Sequence, residues 1–232
     1  MTMPAAETGN TLAVAHALLD AGCVSFCTRE PYRLPSGWAS PVYMDCRRLI
    51  AYPALRRDLV QRALVLLREQ GALDGLDSVT GGEASGIALA AWIAESLSLP
   101  LQYVRKRAAG LGNASQVEGA VIAGGRTLLV DDMMAAGHSK VRFCKALAAA
   151  GQSVRDIFVV FDYRTFPTRP LLAPLGVRVH ALASWQDVHR AAAEGGHGVS
   201  PQALDKLGDF LKDPSAWSAS HGGASTQSVP SP

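Results

Sequence analysis

Apolar positions recur at helical spacing in the first segment, TLAVAHALLDAG, where Leu12, Ala15, Leu18 and Leu19 share one face. Asn10 or Thr11 is placed to cap this helix, and Gly22 stands past its end. The next stretch, VSFCTREPYRLPSGWASPVYMDCR, breaks into short apolar runs separated by Pro and Gly and predicts a small antiparallel β element. Pro53 opens a long helix, PALRRDLVQRALVLLREQ, where a first helical turn tolerates proline.

From there the pattern alternates. DSVTGG reads as a strand, GIALAAWIAESL as a helix, LQYVRK and TLLVDD as strands, SKVRFCKALAAAG as a helix, and VRDIFVVFDY and VRVHALAS as strands. TLLV and IFVVF are apolar at successive positions, as strands buried on both faces are. The fold class expected is therefore α/β, with a mostly parallel central sheet flanked by helices. Ligands in such sheets bind at the carboxyl ends of strands. WQDVHRAAAEGG and SPQALDKLGDFLKD read as two closing helices. Residues 214–232 end in a run rich in Ser, Gly and Pro, SASHGGASTQSVPSP, and are expected to be disordered. The organisation expected is an N-terminal helix and small β hood over 1–50, a core with the closing helices over 51–213, and the tail.

Composition changes this picture little. With 232 residues, 48% hydrophobic and 18% charged, the chain can bury a substantial core as one soluble domain. Its net charge of +2 is too mild for a nucleic-acid partner, and no run reaches the ~18 apolar residues of a membrane span. The N-terminal residues MTMPAAETGN lack the pattern of a secretory signal. Cys23, Cys27, Cys46 and Cys144 have no zinc-site spacing and read as buried free thiols, in keeping with a reducing cytoplasm.

The candidate chemistry lies in TLLVDDMMAAGHSK, residues 127–140. Successive strand side chains point to opposite faces, so Asp131 and Asp132 converge on one ligand only if the chain turns there. Ala135, Ala136 and Gly137 are small enough for backbone N–H groups to approach an anion, and a helix starting near His138 or Ser139 adds its positive end. Carboxylates suit hydroxyls or a divalent ion, whereas bare amides suit phosphate; a sugar phosphate carries both kinds of group. The competing reading has Asp131 capping the next segment and Asp132 merely solvated. No phosphate-loop motif occurs, and Gly110 and Gly112 begin a dinucleotide fingerprint that Ser115 does not complete. His16, His180, His189, His197 and His221 lack paired ligand spacing.

VDDMMAAGHSK resembles the phosphoribosyl-pyrophosphate signature of type I phosphoribosyltransferases. LPSGWASPVYMDCR, TGGEASGIALA and YVRKRAAGLGNASQVEG resemble, in order, the base-site segment, second turn and mobile loop of the orotate phosphoribosyltransferase branch. The resemblance implies transfer of a phosphoribosyl group from phosphoribosyl pyrophosphate to orotate, with magnesium, by a cytoplasmic homodimer with shared active sites. It implies that Asp131 and Asp132 hold the ribose hydroxyls and assist the metal-bound substrate. Met133 and Met134 would contact substrate, Ala135 through Ser139 would wrap the 5-phosphate, and Tyr43 and Met44 would lie against the base. Arg105 and Lys106 would face pyrophosphate. Arg164, in VVFDYRTF at the end of the next strand, reads either as a partner for the orotate carboxylate or as a surface arginine.

The loop departs from the family pattern. Ala109 and Leu111 stand where members usually carry a lysine and often a histidine, and the lysine is the family's principal loop catalyst. Ala135 replaces a common threonine, His138 a small residue, and Pro35 a lysine seen in some members. Arg107, two positions from Ala109, is the candidate substitute catalyst. The alternatives are a non-catalytic sugar-phosphate or nucleotide sensor, and a transferase for another base.

Overall fold

In this computed structural model residues 5–107 and 116–226 are described, with side chains from residue 10 onward. The chain divides into two compact units. The first comprises residues 1–52, 162–167 and 183–232, and the second 53–161 and 168–182. α6–α8, described below, thus group with the N-terminal segment, whereas the sequence reading assigned the closing helices to the core.

In the first unit, α1 spans Ala5–Asp20 and ends at Gly22, whose φ of 64° lets the N–H groups of Gly22 and Cys23 reach the carbonyls of Leu19 and Leu18. The helix begins ahead of Asn10 and Thr11, so neither caps it. Thr11 instead donates from Oγ1 to Asp187 Oδ1 at 2.9 Å, fixing α1 against α6 (Trp185–Glu194). The expected β element consists of two antiparallel pairs. β1 (Val24–Phe26) pairs with β4 (Val42–Met44), and β2 (Tyr32–Arg33) with β3 (Ala39–Ser40). α7 (Pro201–Lys212) and α8 (Pro214–Ser220) follow.

The tail expectation is corrected for residues 214–226. α8 is capped by Asp213, and Ser218 within it is fully buried, donating to the Ala224 carbonyl and accepting from the Ala39 N–H. A composition favouring disorder is overridden here by hydrogen bonds to a hairpin ~180 residues away in sequence, which no local pattern reveals.

In the second unit, α2 (Pro53–Glu69) precedes β5 (Ser78–Gly82), α3 (Ser85–Leu97), β6 (Leu101–Val104) and β7 (Val117–Glu118). β8 (Arg126–Met134), α4 (His138–Ala149), β9 (Ser153–Asp162), α5 (Arg169–Leu172) and β10 (Arg178–Ser184) complete the alternation. The sheet has six strands in the order β10-β9-β8-β5-β6-β7. β5 is parallel to both β6 and β8, and only the short β7 is shown antiparallel to its neighbour β6. The mostly parallel sheet expected from the apolar strands is present. Its core gathers Leu129, Met134, Phe143, Leu147, Ile157 and Val159.

The chain moves outward from β5 to β6, then returns to the other side of β5 to form β8. Adjacent strands that lead off in opposite directions leave a crevice at their carboxyl ends, where ligands of open α/β sheets bind. β5 ends in Gly81 and Gly82, and β8 carries Asp131 and Asp132 just before its end at Met134.

Candidate active site

β8 does not turn at its paired acids; it continues through both to Met134. Each carboxylate instead folds back on the next peptide. Asp131 Oδ1 accepts from the Asp132 N–H at 2.9 Å, and Asp132 Oδ1 from the Met133 N–H at 2.8 Å. The turn comes after Met134, and at Gly137 it adopts a φ of 82°, a conformation that glycine takes without steric cost. Gly137 is the N-cap of α4 and has no side chain to bond the first-turn amides. Those N–H groups have no intrahelical acceptor, so they and the helix dipole suit an anion.

Asp131 is buried, and its Oδ2 accepts from Lys140 Nζ at 2.6 Å; the same ammonium also donates to the Met133 carbonyl. Lys140, absent from the sequence reading, therefore neutralises one acid and braces the turn from beneath. Asp132 is partly buried. Burial and then the adjacent Asp131 charge push its pKa up to about 6, against a smaller downward pull from Lys140.

The floor of this end is made close by glycine. A Cβ on Gly86 would stand 2.4 Å from the Val130 carbonyl oxygen and 2.9 Å from Asp131 Cα, so only glycine lets α3 approach β8 beneath the acids. A Cβ on Gly82 would lie 2.7 Å from Phe143 and 3.3 Å from Asp131 Oδ2. On the other side of β5, Glu83 accepts from the Lys106 N–H at 2.7 Å, and Arg105 pairs with Glu118 at 2.8 Å. Arg105 and Lys106 thus leave β6 at the same sheet end as the acids. Arg105 is already engaged by a carboxylate, whereas Lys106 and Arg107 are exposed. Ala109 and Leu111 lie outside the described residues.

Among the remaining expected site residues, Met133, Ala135, Ala136, His138 and Ser139 are partly exposed around the turn. Met134 is 2% exposed and packs in the core with Phe143 and Val159, which limits it to backbone contacts with any ligand. Tyr43, Met44 and Arg164 belong to the first unit. Tyr43 is partly exposed and packs on Tyr32 at 5.8 Å, whereas Met44 is 1% exposed. Alternation along β4 turns Met44 inward, so Tyr43 is the one that offers a ring face. Arg164 is exposed at a φ of 51°, its N–H donating to Asp162 Oδ1 at 3.3 Å.

All four cysteines are free and buried, and burial pushes the thiols of Cys23 and Cys144 up to about 11. Among the described residues no helix is long and apolar enough to cross a membrane, and no group of three His, Cys, Asp or Glu could by itself hold a metal ion.

No family model matches the chain. Individual proteins do. It is 41% identical over 204 residues to the orotate phosphoribosyltransferase of Ruegeria sp. (strain TM1040), covering 88% of this chain and 90% of that one. The crystal structure of orotate phosphoribosyltransferase from Aeropyrum pernix superposes with a TM-score of 0.67 at 33% identity, over 79% of this chain and 99% of that one. Leishmania donovani UMP synthase gives a TM-score of 0.76 at 27% identity; the match covers 88% of this chain but 43% of that longer one.

Proposed function

The chain belongs to the orotate phosphoribosyltransferase family, and on that premise we propose how its residues divide the work of the reaction. The enzyme transfers a phosphoribosyl group from phosphoribosyl pyrophosphate to orotate in pyrimidine biosynthesis, giving orotidine 5'-phosphate and pyrophosphate. The bond from the ribose carbon to pyrophosphate breaks, a bond from that carbon to the base nitrogen forms, and the nitrogen's proton leaves. The ribose carbon gains oxocarbenium character, so the protein's task is to position two substrates, balance the departing charge and exclude water.

The carrying observation is the uncapped start of α4 behind Gly137, directly after two acids at a topological switch point. In this reading the first-turn amides of α4 and Ser139 hold the 5-phosphate. Asp132 takes the ribose hydroxyls, with Asp131 held by Lys140 as its electrostatic neighbour. Arg105, Lys106 and Arg107 meet the pyrophosphate, and Arg107 supplies the transition-state charge that a loop lysine gives in relatives. Base recognition belongs to the first unit, through the Tyr43 ring and the Arg164 guanidinium, whose planar fork suits a carboxylate.

Members of the family generally use magnesium with phosphoribosyl pyrophosphate. Magnesium binds through one or two carboxylates plus substrate phosphates rather than in an all-protein cage, and this sheet end fits that habit. Asp132, whose ionisation is opposed by burial, gains its charge most readily beside a cation, and with Asp131 it would hold the ion. When bound, magnesium neutralises the diphosphate as its charge grows. A homodimer in which Arg105 and Lys106 of one protomer serve the partner completes the proposal.

The test mixes purified protein with phosphoribosyl pyrophosphate, magnesium and orotate and follows the loss of orotate absorbance. Turnover to orotidine 5'-phosphate is expected. Tight binding of both substrates without turnover would overturn the reading in favour of a sensor.

A further inference from the structure

Past α8 the chain crosses back over the β2–β3 turn. Arg33 Nη2 donates to the His221 carbonyl at 3.0 Å, the Ala224 N–H to the Gly37 carbonyl at 2.9 Å, and Trp38 Nε1 to the Thr226 carbonyl at 3.3 Å. The Ala39 N–H donates to Ser218 Oγ at 2.9 Å. Four hydrogen bonds therefore fasten residues 33–39 to residues 218–226. The approach is so close at Gly223 that a Cβ there would lie 2.3 Å from the Ala39 nitrogen and 2.4 Å from Ser218 Oγ.

The fastened turn carries Trp38, 2% exposed, whose ring packs on Phe166 at 4.8 Å. Phe166 meets Tyr163 at 6.2 Å, and the Tyr163 hydroxyl accepts from the Met44 N–H at 3.3 Å. Tyr163 directly precedes Arg164, and Met44 directly follows Tyr43. Both residues assigned to the base thus hang on one file of aromatic rings whose outer end the tail holds. The α4 turn belongs to the other unit.

We propose that residues 218–226 form a strap that positions Tyr43 and Arg164 for the acceptor base, making the C-terminal segment a determinant of orotate binding. The inference rests on the assignment of Tyr43 and Arg164 to the base. Releasing the strap loosens Trp38, and through Phe166 and Tyr163 the error reaches both residues. Its signature is selective: orotate binding weakens while the sugar diphosphate, held by the α4 turn, is bound as before.

Two strap variants of the full enzyme test this, Gly223→Ala and a chain ending at His221, with Arg164→Ala as the control. Loss of one or two buried hydrogen bonds predicts an orotate KM raised about three- to tenfold, with the KM for phosphoribosyl pyrophosphate unchanged. Faster hydrogen exchange at the Trp38 indole N–H, which donates to the Thr226 carbonyl, reports that the strap has lifted. If Gly223→Ala does not fold, the shortened chain, which keeps α8, gives the same reading. An unchanged orotate KM with a freed Trp38 indole N–H overturns the strap, and so does a loss that falls equally on both substrates. An unchanged orotate KM in Arg164→Ala overturns the base assignment itself, and with it the inference.

Discussion

Lys140 Nζ lies 2.6 Å from Asp131 Oδ2, with both side chains at least nine-tenths buried. An ion pair in that position is costly to break by halves, because the surviving charge is left buried without a counter-ion. Lys140→Met is expected to lower stability by about 3–5 kcal/mol, read by urea denaturation, and to raise the KM for phosphoribosyl pyrophosphate. A stability loss below about 1 kcal/mol would mean that Asp131 finds another partner or protonates freely.

Asp132 gives a pH signature. Its folded pKa, pushed up to about 6, exceeds the ordinary 3.8, so between these values the folded chain holds a proton that the unfolded chain has released. Stability from this group is present below the lower value and is lost as pH rises through the upper one. Asp132→Asn removes that loss. The variant should gain stability over the parent from pH 4 to pH 6, about the span between the two pKa values, and hold the gain above it. A difference independent of pH would refute the shift.

Gly86→Ala places a methyl against the Val130 carbonyl and the Asp131 backbone, neither of which can swing aside. Overpacking of this kind costs about 1–3 kcal/mol. The accompanying displacement of the acids should reduce kcat/KM for phosphoribosyl pyrophosphate well beyond what the stability change explains. Equal activity at saturating substrate and unchanged Tm would show that α3 has room to retreat.

Arg107→Ala tests the substitute catalyst. Removal of one charged donor to a transition state lowers kcat by about two to three orders of magnitude. Turnover equal to the parent would remove Arg107 from the mechanism.

Asp156 offers a contrast at the opposite end of the sheet. It is 1% exposed and accepts from Arg126 Nη2 at 2.6 Å, Arg178 Nε at 2.8 Å and His180 Nε2 at 2.7 Å. Burial alone would raise its pKa, but these three donors outweigh it and hold the carboxyl below the ordinary value. Its contribution is therefore intact above pH 4 and fades as acid protonates the folded carboxylate, about where the unfolded group is already neutral. Asp156→Ala should cost about 3–5 kcal/mol and leave both KM values unaltered. A raised KM would tie the amino ends of the strands to the site.

What the sequence disclosed and what it withheld follow from range. Strands such as TLLV and IFVVF declare burial on both faces by their own residues, and the small residues ahead of His138 declare a tight turn. Lys140 declares nothing: it reads as one more helix cation until the bend brings it nine positions back to Asp131. Gly86 likewise looks like a helix residue of low propensity until the crossing of α3 over β8 is known. The paired acids suggest convergence through a bend at their own position, but β8 runs on through both, and each accepts from the N–H of the next residue. The tail misled because its order comes from partners at the far end of the chain.

That α1 is fastened to α6 has a bearing on biosynthesis. Thr11 and Asp187 are 176 positions apart, so the first described helix to leave the ribosome waits for most of the protein to be made before it meets its partner. The unit that carries the α4 turn is made of residues 53–161 and 168–182. A growing chain therefore holds every residue of that unit before it holds Asp187, the partner that fastens α1.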